Sequence, residues 1–101
     1  MKFGISKKSM DLIVNTIYKF PDIDKAVVFG SRSKGNYKRG SDIDVAVFGK
    51  EISDNTVNRL RVILNEELPL PFYFDVINFE TLQNEELKRE IENYGVVIYQ
   101  K

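Results

Sequence analysis

Apolar residues recur three and four positions apart in three segments of the chain, a spacing that is typical of amphipathic helices. The segments are residues 10–18, 54–68 and 87–94. Candidate capping residues precede the first two segments; they are Ser6, Ser9, Ser53 and Asp54. Proline or glycine follows each segment. We therefore predict three helices with approximately these bounds.

Four short runs rich in Val, Ile and Phe lie between or after the helical segments and predict β-strands. The runs are residues 25–29, 41–48, 72–79 and 96–99. The resulting element order is α-β-β-α-β-α-β. This order predicts an α+β fold in which helices pack on one small β-sheet. The length of 101 residues predicts a single domain, residues 1–101.

Composition narrows the chemistry that this domain can perform. The chain has 15 basic and 15 acidic residues and neither cysteine nor histidine. Disulfides, thiolate nucleophiles, Cys/His zinc sites and histidine bases are therefore excluded. Carboxylates, lysine and tyrosine remain for acid–base or metal chemistry, and the carboxylates favour hard cations such as Mg²⁺, Mn²⁺ or Ca²⁺. The zero net charge argues against broad attraction to nucleic acid or to an anionic membrane.

No segment of the sequence suits membrane insertion or export. Its longest apolar runs have four or five residues, which is too short to span a bilayer. The first residues, MKFGISKKSMD, lack the apolar core of a signal peptide. We therefore expect a cytoplasmic protein.

Two aspartates, Asp42 and Asp44, lie in a segment that otherwise has the pattern of a buried strand. Since side chains alternate along a strand, both carboxylates are expected on one face. Two like charges at this spacing repel each other and raise each other's pKa, and a divalent cation removes that penalty. Taken alone, the pair is better interpreted as a solvated strand end after a turn than as a metal site.

The loop at residues 30–41 begins with Gly30 and Ser31, directly after a predicted strand. Glycine lets the backbone approach a ligand closely, and the hydroxyl and N–H of Ser31 suit phosphate oxygens. The loop also contains four cations that could neutralise a polyphosphate: Arg32, Lys34, Lys38 and Arg39. Taken one at a time, each of these cations is better interpreted as an ordinary surface charge.

A third carboxylate, Asp75, lies in the middle of a predicted strand, where a lone charge is unfavourable. If this strand pairs beside residues 41–48, Asp75 can face Asp42 and Asp44. Three carboxylates beside a phosphate-binding loop would form a two-metal phosphoryl-transfer site. The alternative is an aspartate at a strand end that bonds to a neighbouring loop.

The run GSRSKGNYKRGSDIDVAVF, residues 30–48, resembles the signature of the polymerase-β-like nucleotidyltransferases. That signature is Gly-Ser, about ten residues, and Asp-x-Asp; here ten residues separate Ser31 from Asp42. The segments FDVINF and GVVIY are also similar to the family's third-carboxylate strand and final strand. The resemblance implies that fold, with its small mixed sheet. It also implies catalytic metal ligands (Asp42, Asp44 and Asp75) and nucleotide phosphate ligands (Gly30, Ser31 and Arg32).

Within this superfamily the chain resembles the minimal MNT-type domains, which pair with small helical HEPN proteins in toxin–antitoxin modules. The likeness implies an antitoxin that transfers AMP from ATP to a hydroxyl of its HEPN partner. Two Mg²⁺ ions, or Mn²⁺ in their place, would serve the reaction. A domain of this size lacks a complete acceptor pocket, which a partner protein or a second copy would supply.

Two alternatives stay open at this stage. The chain could neutralise a HEPN partner by contact, without catalysis, or it could modify RNA or an aminoglycoside. RNA would require a broader basic surface with stacking aromatics, which the sequence does not indicate. A cationic aminoglycoside would suit the acidic residues of the last helix, but these have the pattern of a solvated helix face. Those acidic residues are Glu85, Glu86, Glu90 and Glu92.

Overall fold

Four strands form one mixed sheet at the centre of the molecule. The structure is a computed structural model that describes residues 2–101. The strands are β1 (Lys25–Phe29), β2 (Ile43–Phe48), β3 (Phe74–Asn78) and β4 (Val96–Gln100). Their spatial order is β3-β2-β1-β4. β1 is antiparallel to both β2 and β4, whereas β2 and β3 run parallel. The predicted small mixed sheet is thereby confirmed.

Four helices connect or flank the strands. They are α1 (Lys7–Tyr18), α2 (Ser31–Lys34), α3 (Asp54–Val62) and α4 (Glu85–Tyr94). The predicted order of elements is confirmed, except that the short helix α2 lies inside the segment predicted as a loop. The predicted second helix is also divided, because a π-helical turn at Ile63–Glu67 continues α3. No helix within residues 2–101 combines the length and apolar character needed to cross a membrane.

Side-chain caps define where the three longer helices begin. Ser6 caps α1, where its hydroxyl accepts a hydrogen bond from the Ser9 N–H. Ser53, rather than Asp54, caps α3 in the same manner. Asn84 caps α4, a role that the apolar pattern did not indicate. Each cap satisfies one backbone N–H that has no partner within the helix.

The larger core lies on the face of the sheet that α1 and α3 cover. Alternate strand residues, such as Val28, Val45 and Val76, point into it and are at most 1% exposed. Helix side chains such as Ile17 and Leu60 complete it. The opposite face carries a smaller core, which consists of Val27, Phe29, Ala46 and Ile91 of α4. One helix therefore covers only part of this second face.

Side chains, rather than another strand, close the outer edge of β3. The amide of Asn65 donates to the Phe74 carbonyl at 3.0 Å and accepts from the Phe74 N–H at 2.7 Å. Arg61 donates to the Val76 carbonyl at 2.6 Å. The π-helical turn supplies Asn65. These bonds fix the backbone on both sides of Asp75.

Candidate active site

Asp44 lies on the partly covered face of the sheet, where β1 gives way to α2. In the β1–β2 register it is opposite Phe29, so the next residue, Gly30, lies against its carboxylate. Gly30 has a φ of +75°, which L-residues rarely adopt. A Cβ at this position would also collide with Oδ2 of Asp44. Only glycine therefore fits here, and its backbone packs directly on the carboxylate.

The parallel pairing of β2 with β3 brings the predicted third carboxylate to the same place. Asp44 and Asp75 are register partners, and partners in adjacent strands project from the same face. Asp42, two residues before Asp44, shares this face. Asp44 is partly buried, whereas Asp42 and Asp75 are exposed. The expected pairing of these two strands is confirmed, and it places the three aspartates on one face of the sheet.

The grouped carboxylates change the electrostatics of Asp44. Burial, which has the largest effect, and the neighbouring negative charges together raise the pKa of Asp44 from 3.8 to about 6. Those charges belong to Asp75, Asp42 and Glu90, in decreasing order of effect. An aspartate with this pKa is held ionised at neutral pH against an unfavourable environment. Such an arrangement is typical of sites that receive a cation.

The donor set suits a hard divalent cation. Carboxylate oxygens are preferred ligands of Mg²⁺, and a bound cation would relieve the repulsion that raises the pKa of Asp44. Across residues 2–101, no three Asp, Glu, His or Cys side chains are already gathered as a metal-binding group. Because Asp42 and Asp75 are exposed, their side chains can turn toward Asp44 when a cation binds. The residues fit a metal site, and their use as ligands stays a prediction.

Ser31 follows Gly30 as the first residue of α2, beside the aspartates. The hydroxyl of Ser33 donates to the Gly30 carbonyl at 2.9 Å, and this bond closes the turn. Gly35, with a φ of +80°, ends the helix. The Gly-Ser turn therefore has a defined shape next to Asp44, which suits its predicted role as a phosphate-binding element.

Arg32 differs from the phosphate-binding role that the resemblance implies. Its side chain is only 4% exposed, and it donates to the carbonyls of Phe3 at 2.8 Å and Ser41 at 2.7 Å. The guanidinium also packs on the rings of Tyr37 and Phe72, at 4.6 and 5.2 Å from their centroids. These contacts engage the guanidinium within the protein, and its role as a phosphate ligand stays a prediction. Arg32 also fixes the residue that precedes Asp42.

The sequence offered Lys34 only as one of four loop cations and Glu90 only as one of four acidic residues of the last helix, and it did not indicate that the two meet. Lys34, at the end of α2, forms an ion pair with Glu90 of α4. Glu90 also lies near enough to Asp44 to raise its pKa. The pair therefore joins the two helices beside the aspartates. The residues are 56 positions apart, and the acidic pattern around Glu90 indicated only a solvated helix face.

Comparison with known proteins identifies the family. The sequence profile described as polymerase beta, nucleotidyltransferase matches residues 11–101. The chain belongs to the polymerase beta nucleotidyltransferase family. The predicted enzyme class, a nucleotidyltransferase, is thereby confirmed.

Relatives of this nucleotidyltransferase agree with its fold. A Methanocaldococcus jannaschii protein with the provisional name protein adenylyltransferase is 28% identical over 89 residues, which are 84% of this chain and 87% of the relative. A chain from a toxin–antitoxin complex with AMP-PNP has a TM-score of 0.76 at 21% identity, over 91% of this chain and 73% of its own length. A chain from a tri-AMPylated Shewanella oneidensis HEPN toxin in complex with MNT antitoxin has a TM-score of 0.63 at 20% identity, with the same coverage. These similarities confirm the predicted polymerase-β-like fold.

Proposed function

We propose that this single-domain nucleotidyltransferase transfers AMP from ATP to a hydroxyl of a HEPN partner protein, as the antitoxin of a toxin–antitoxin pair. The observation that carries the proposal is the grouping of Asp44 and Asp75 on one face, beside the Gly30–Ser31 turn. The name of the archaeal relative and the AMPylated HEPN toxin in the Shewanella oneidensis complex support adenylyl transfer to a protein.

In this proposal the triphosphate group of ATP lies along the start of α2. The Ser31 hydroxyl and N–H bind phosphate oxygens, and Gly30 allows the close approach that this requires. Among the cations of the loop, Lys34 forms an ion pair with Glu90, and Glu90 is close enough to Asp44 to raise its pKa. The pair therefore places the Lys34 ammonium beside the aspartates. Lys34 is thus better placed to bind phosphate than Arg32, whose guanidinium bonds two backbone carbonyls.

Asp42, Asp44 and Asp75 would hold Mg²⁺, which supplies charge neutralisation and lowers the pKa of the attacking hydroxyl. Asp75 is exposed and lies at the open side of the site. We therefore assign it the role of the base that accepts the proton of the acceptor hydroxyl. The acceptor oxygen forms a bond to the α-phosphorus of ATP. The bond from that phosphorus to the β-phosphate oxygen breaks, and pyrophosphate leaves.

The open rim of the site suits a protein as acceptor. Tyr73 is 75% exposed and lies two residues before Asp75, and Tyr94 of α4 is 57% exposed beside Lys34. Large aromatic side chains at a rim are typical of surfaces that contact another protein. Neither ring is enclosed by other parts of this chain. A partner that covers them would complete the acceptor pocket.

Labelled ATP tests the proposal directly. The protein, its HEPN partner from the neighbouring reading frame, Mg²⁺ and ATP labelled at the α-phosphate are incubated, and label on the partner is measured. We expect labelled partner with the wild type and with the control Asp24→Asn, which changes an exposed aspartate at the other end of β1. Asp44→Asn should leave the partner unlabelled. Neutralisation of the partner without any label would instead favour the contact-only antitoxin.

A further inference from the structure

The two helices beside the aspartates are joined by one ion pair. Lys34 Nζ of α2 hydrogen-bonds a carboxylate oxygen of Glu90 of α4, and both side chains are about one third exposed, 35% and 31%. The Lys34 ammonium also lies 5.2 Å from the centroid of the Tyr94 ring. Lys34 is three residues beyond Ser31 along α2. The pair therefore lies at the far end of the short helix at whose start we propose that the phosphates bind.

Lys34 differs from the other cations of the loop in the kind of partner that it has. Arg32 is buried and donates to two backbone carbonyls, which would lose these hydrogen bonds if a ligand drew the guanidinium away. Lys34 bonds a carboxylate that is itself partly exposed. Phosphate oxygens carry more negative charge than a carboxylate and form strong charge-assisted hydrogen bonds with ammonium groups. A triphosphate can therefore displace Glu90 from Lys34.

We propose that Glu90 is a resting counterion for Lys34, and that the nucleotide phosphate displaces it on binding. Glu90 then sets nucleotide affinity through Lys34 and is a positioning residue. This inference rests on the proposed nucleotide-binding function. In the free protein the pair holds the Lys34 side chain near the aspartates. In the nucleotide complex Lys34 bonds phosphate, and Glu90 is left as an additional negative charge beside Asp44.

Displacement of Glu90 from Lys34 has a thermodynamic consequence that simple repulsion between Glu90 and the phosphates would not have. Binding of nucleotide must break the Lys34–Glu90 pair, so removal of Glu90 should strengthen binding by the strength of the pair plus any direct repulsion. When Lys34 is absent there is no pair to break. Removal of Glu90 should then strengthen binding only by the direct repulsion. A double-mutant cycle separates the two contributions.

The experiment measures binding of a fluorescent, non-hydrolysable ATP analogue in the presence of Mg²⁺. We expect Glu90→Gln to bind about fivefold more tightly, the upper range for a partly exposed pair. Lys34→Met should bind about tenfold more weakly, and Lys34→Arg, which keeps the charge, should retain most of the affinity. In the Lys34→Met background, Glu90→Gln should improve binding by less than about twofold. Glu92→Gln, the same charge change at an exposed position of α4, should leave affinity unchanged.

Three outcomes would overturn the inference. If Glu90→Gln raised the affinity for the ATP analogue equally with and without Lys34, Glu90 would act only by repelling the phosphates. No gain in the wild-type background, in a variant with an unchanged melting temperature, would leave the pair as a structural link between α2 and α4. Absence of nucleotide binding by the wild type would overturn the proposed function as well, whereas normal binding with no gain from Glu90→Gln would overturn the inference alone.

Discussion

The two faces of the sheet are formed by the same strands but serve different purposes. On one face, α1 and α3 enclose residues such as Val45 and Val76, which have no exposed surface. On the other face, the adjacent positions Asp44 and Asp75 carry charge, and α4 covers only the part over β1 and the far end of β2. Neighbouring residues of one strand therefore differ completely in environment.

This difference shows that a small domain can use one face of its sheet for stability and the other for charged groups. Hydrophobic burial on the first face stabilises the strands, because apolar area removed from water is the main favourable term in folding. The second face can then hold mutually repelling carboxylates, of which Asp44 is partly buried, at a cost to the stability of the fold. Gly30 and the two hydrogen bonds between Asn65 and Phe74 of β3 fix the backbone around these carboxylates. The following predictions test this division between the faces.

The largest effect is expected from Asp44→Asn, on the face of the sheet that carries the aspartates. Transfer of AMP to the partner should fall about 10³-fold, because the proposed metal site loses its central carboxylate. A loss of this size corresponds to about 4 kcal/mol of transition-state stabilisation. Folding should be preserved. Initial rates with labelled ATP measure the loss, and Asp24→Asn is the matched control. Transfer within about threefold of the wild type would show that Asp44 is dispensable.

The next largest effect is expected in the enclosed core. Leu60→Ala should lower the free energy of unfolding by about 3 kcal/mol, since Leu60 is completely buried. Leu87→Ala, on α4 over the other face, should lower it by only about 1 kcal/mol because Leu87 is partly exposed. Urea denaturation measures both values. Equal losses would contradict the assignment of the main stabilising core to the first face.

Arg32→Met tests the buried side chain that links the N-terminal segment to the loop before β2. The change removes two hydrogen bonds from a buried guanidinium to the carbonyls of Phe3 and Ser41, so we expect a loss of about 2 kcal/mol in the free energy of unfolding. Arg39→Met, at an exposed position of the same loop, is the control. Unchanged stability with strongly weakened ATP binding would restore the phosphate-binding role to Arg32.

The smallest effect concerns pH and the metal-free protein. Because the folded-state pKa of Asp44 is raised to about 6 from 3.8, the folded state binds this proton more tightly than the unfolded state does. The ionisation of Asp44 therefore lowers stability progressively as the pH rises from about 4 to about 6, after which the penalty is constant. Asp44→Asn should be more stable than the wild type above pH 6 by about 1 kcal/mol, after allowance for solvent screening.

Urea denaturation in the presence of EDTA, at pH 4.5 and pH 7.5, measures this difference. The two proteins should be nearly equal in stability at the lower pH and should differ at the higher one. If the stability difference were the same at both pH values, the titration of Asp44 would not be its cause.

Sequence patterns predicted most of the fold because most elements are defined locally. The alternation from Asp42 to Phe48 depends only on neighbouring residues, and it correctly predicted β2 with its polar positions on one face. The helix α2 was missed, since Gly30, Ser31 and their neighbours have the composition of a loop. The helical spacing up to Leu68 likewise did not distinguish the α-helix from the π-helical turn that supplies Asn65.

The sequence by itself determined which residues alternate, approximately where the three longer helices lie, and that histidine and cysteine take no part in any chemistry. Only the tertiary structure decided that Asp75 pairs with Asp44, that Arg32 bonds carbonyls and that Lys34 meets Glu90. The physical reason is range. Propensity and alternation act between near neighbours, whereas strand register and ion pairs between helices depend on how distant segments pack around a common core.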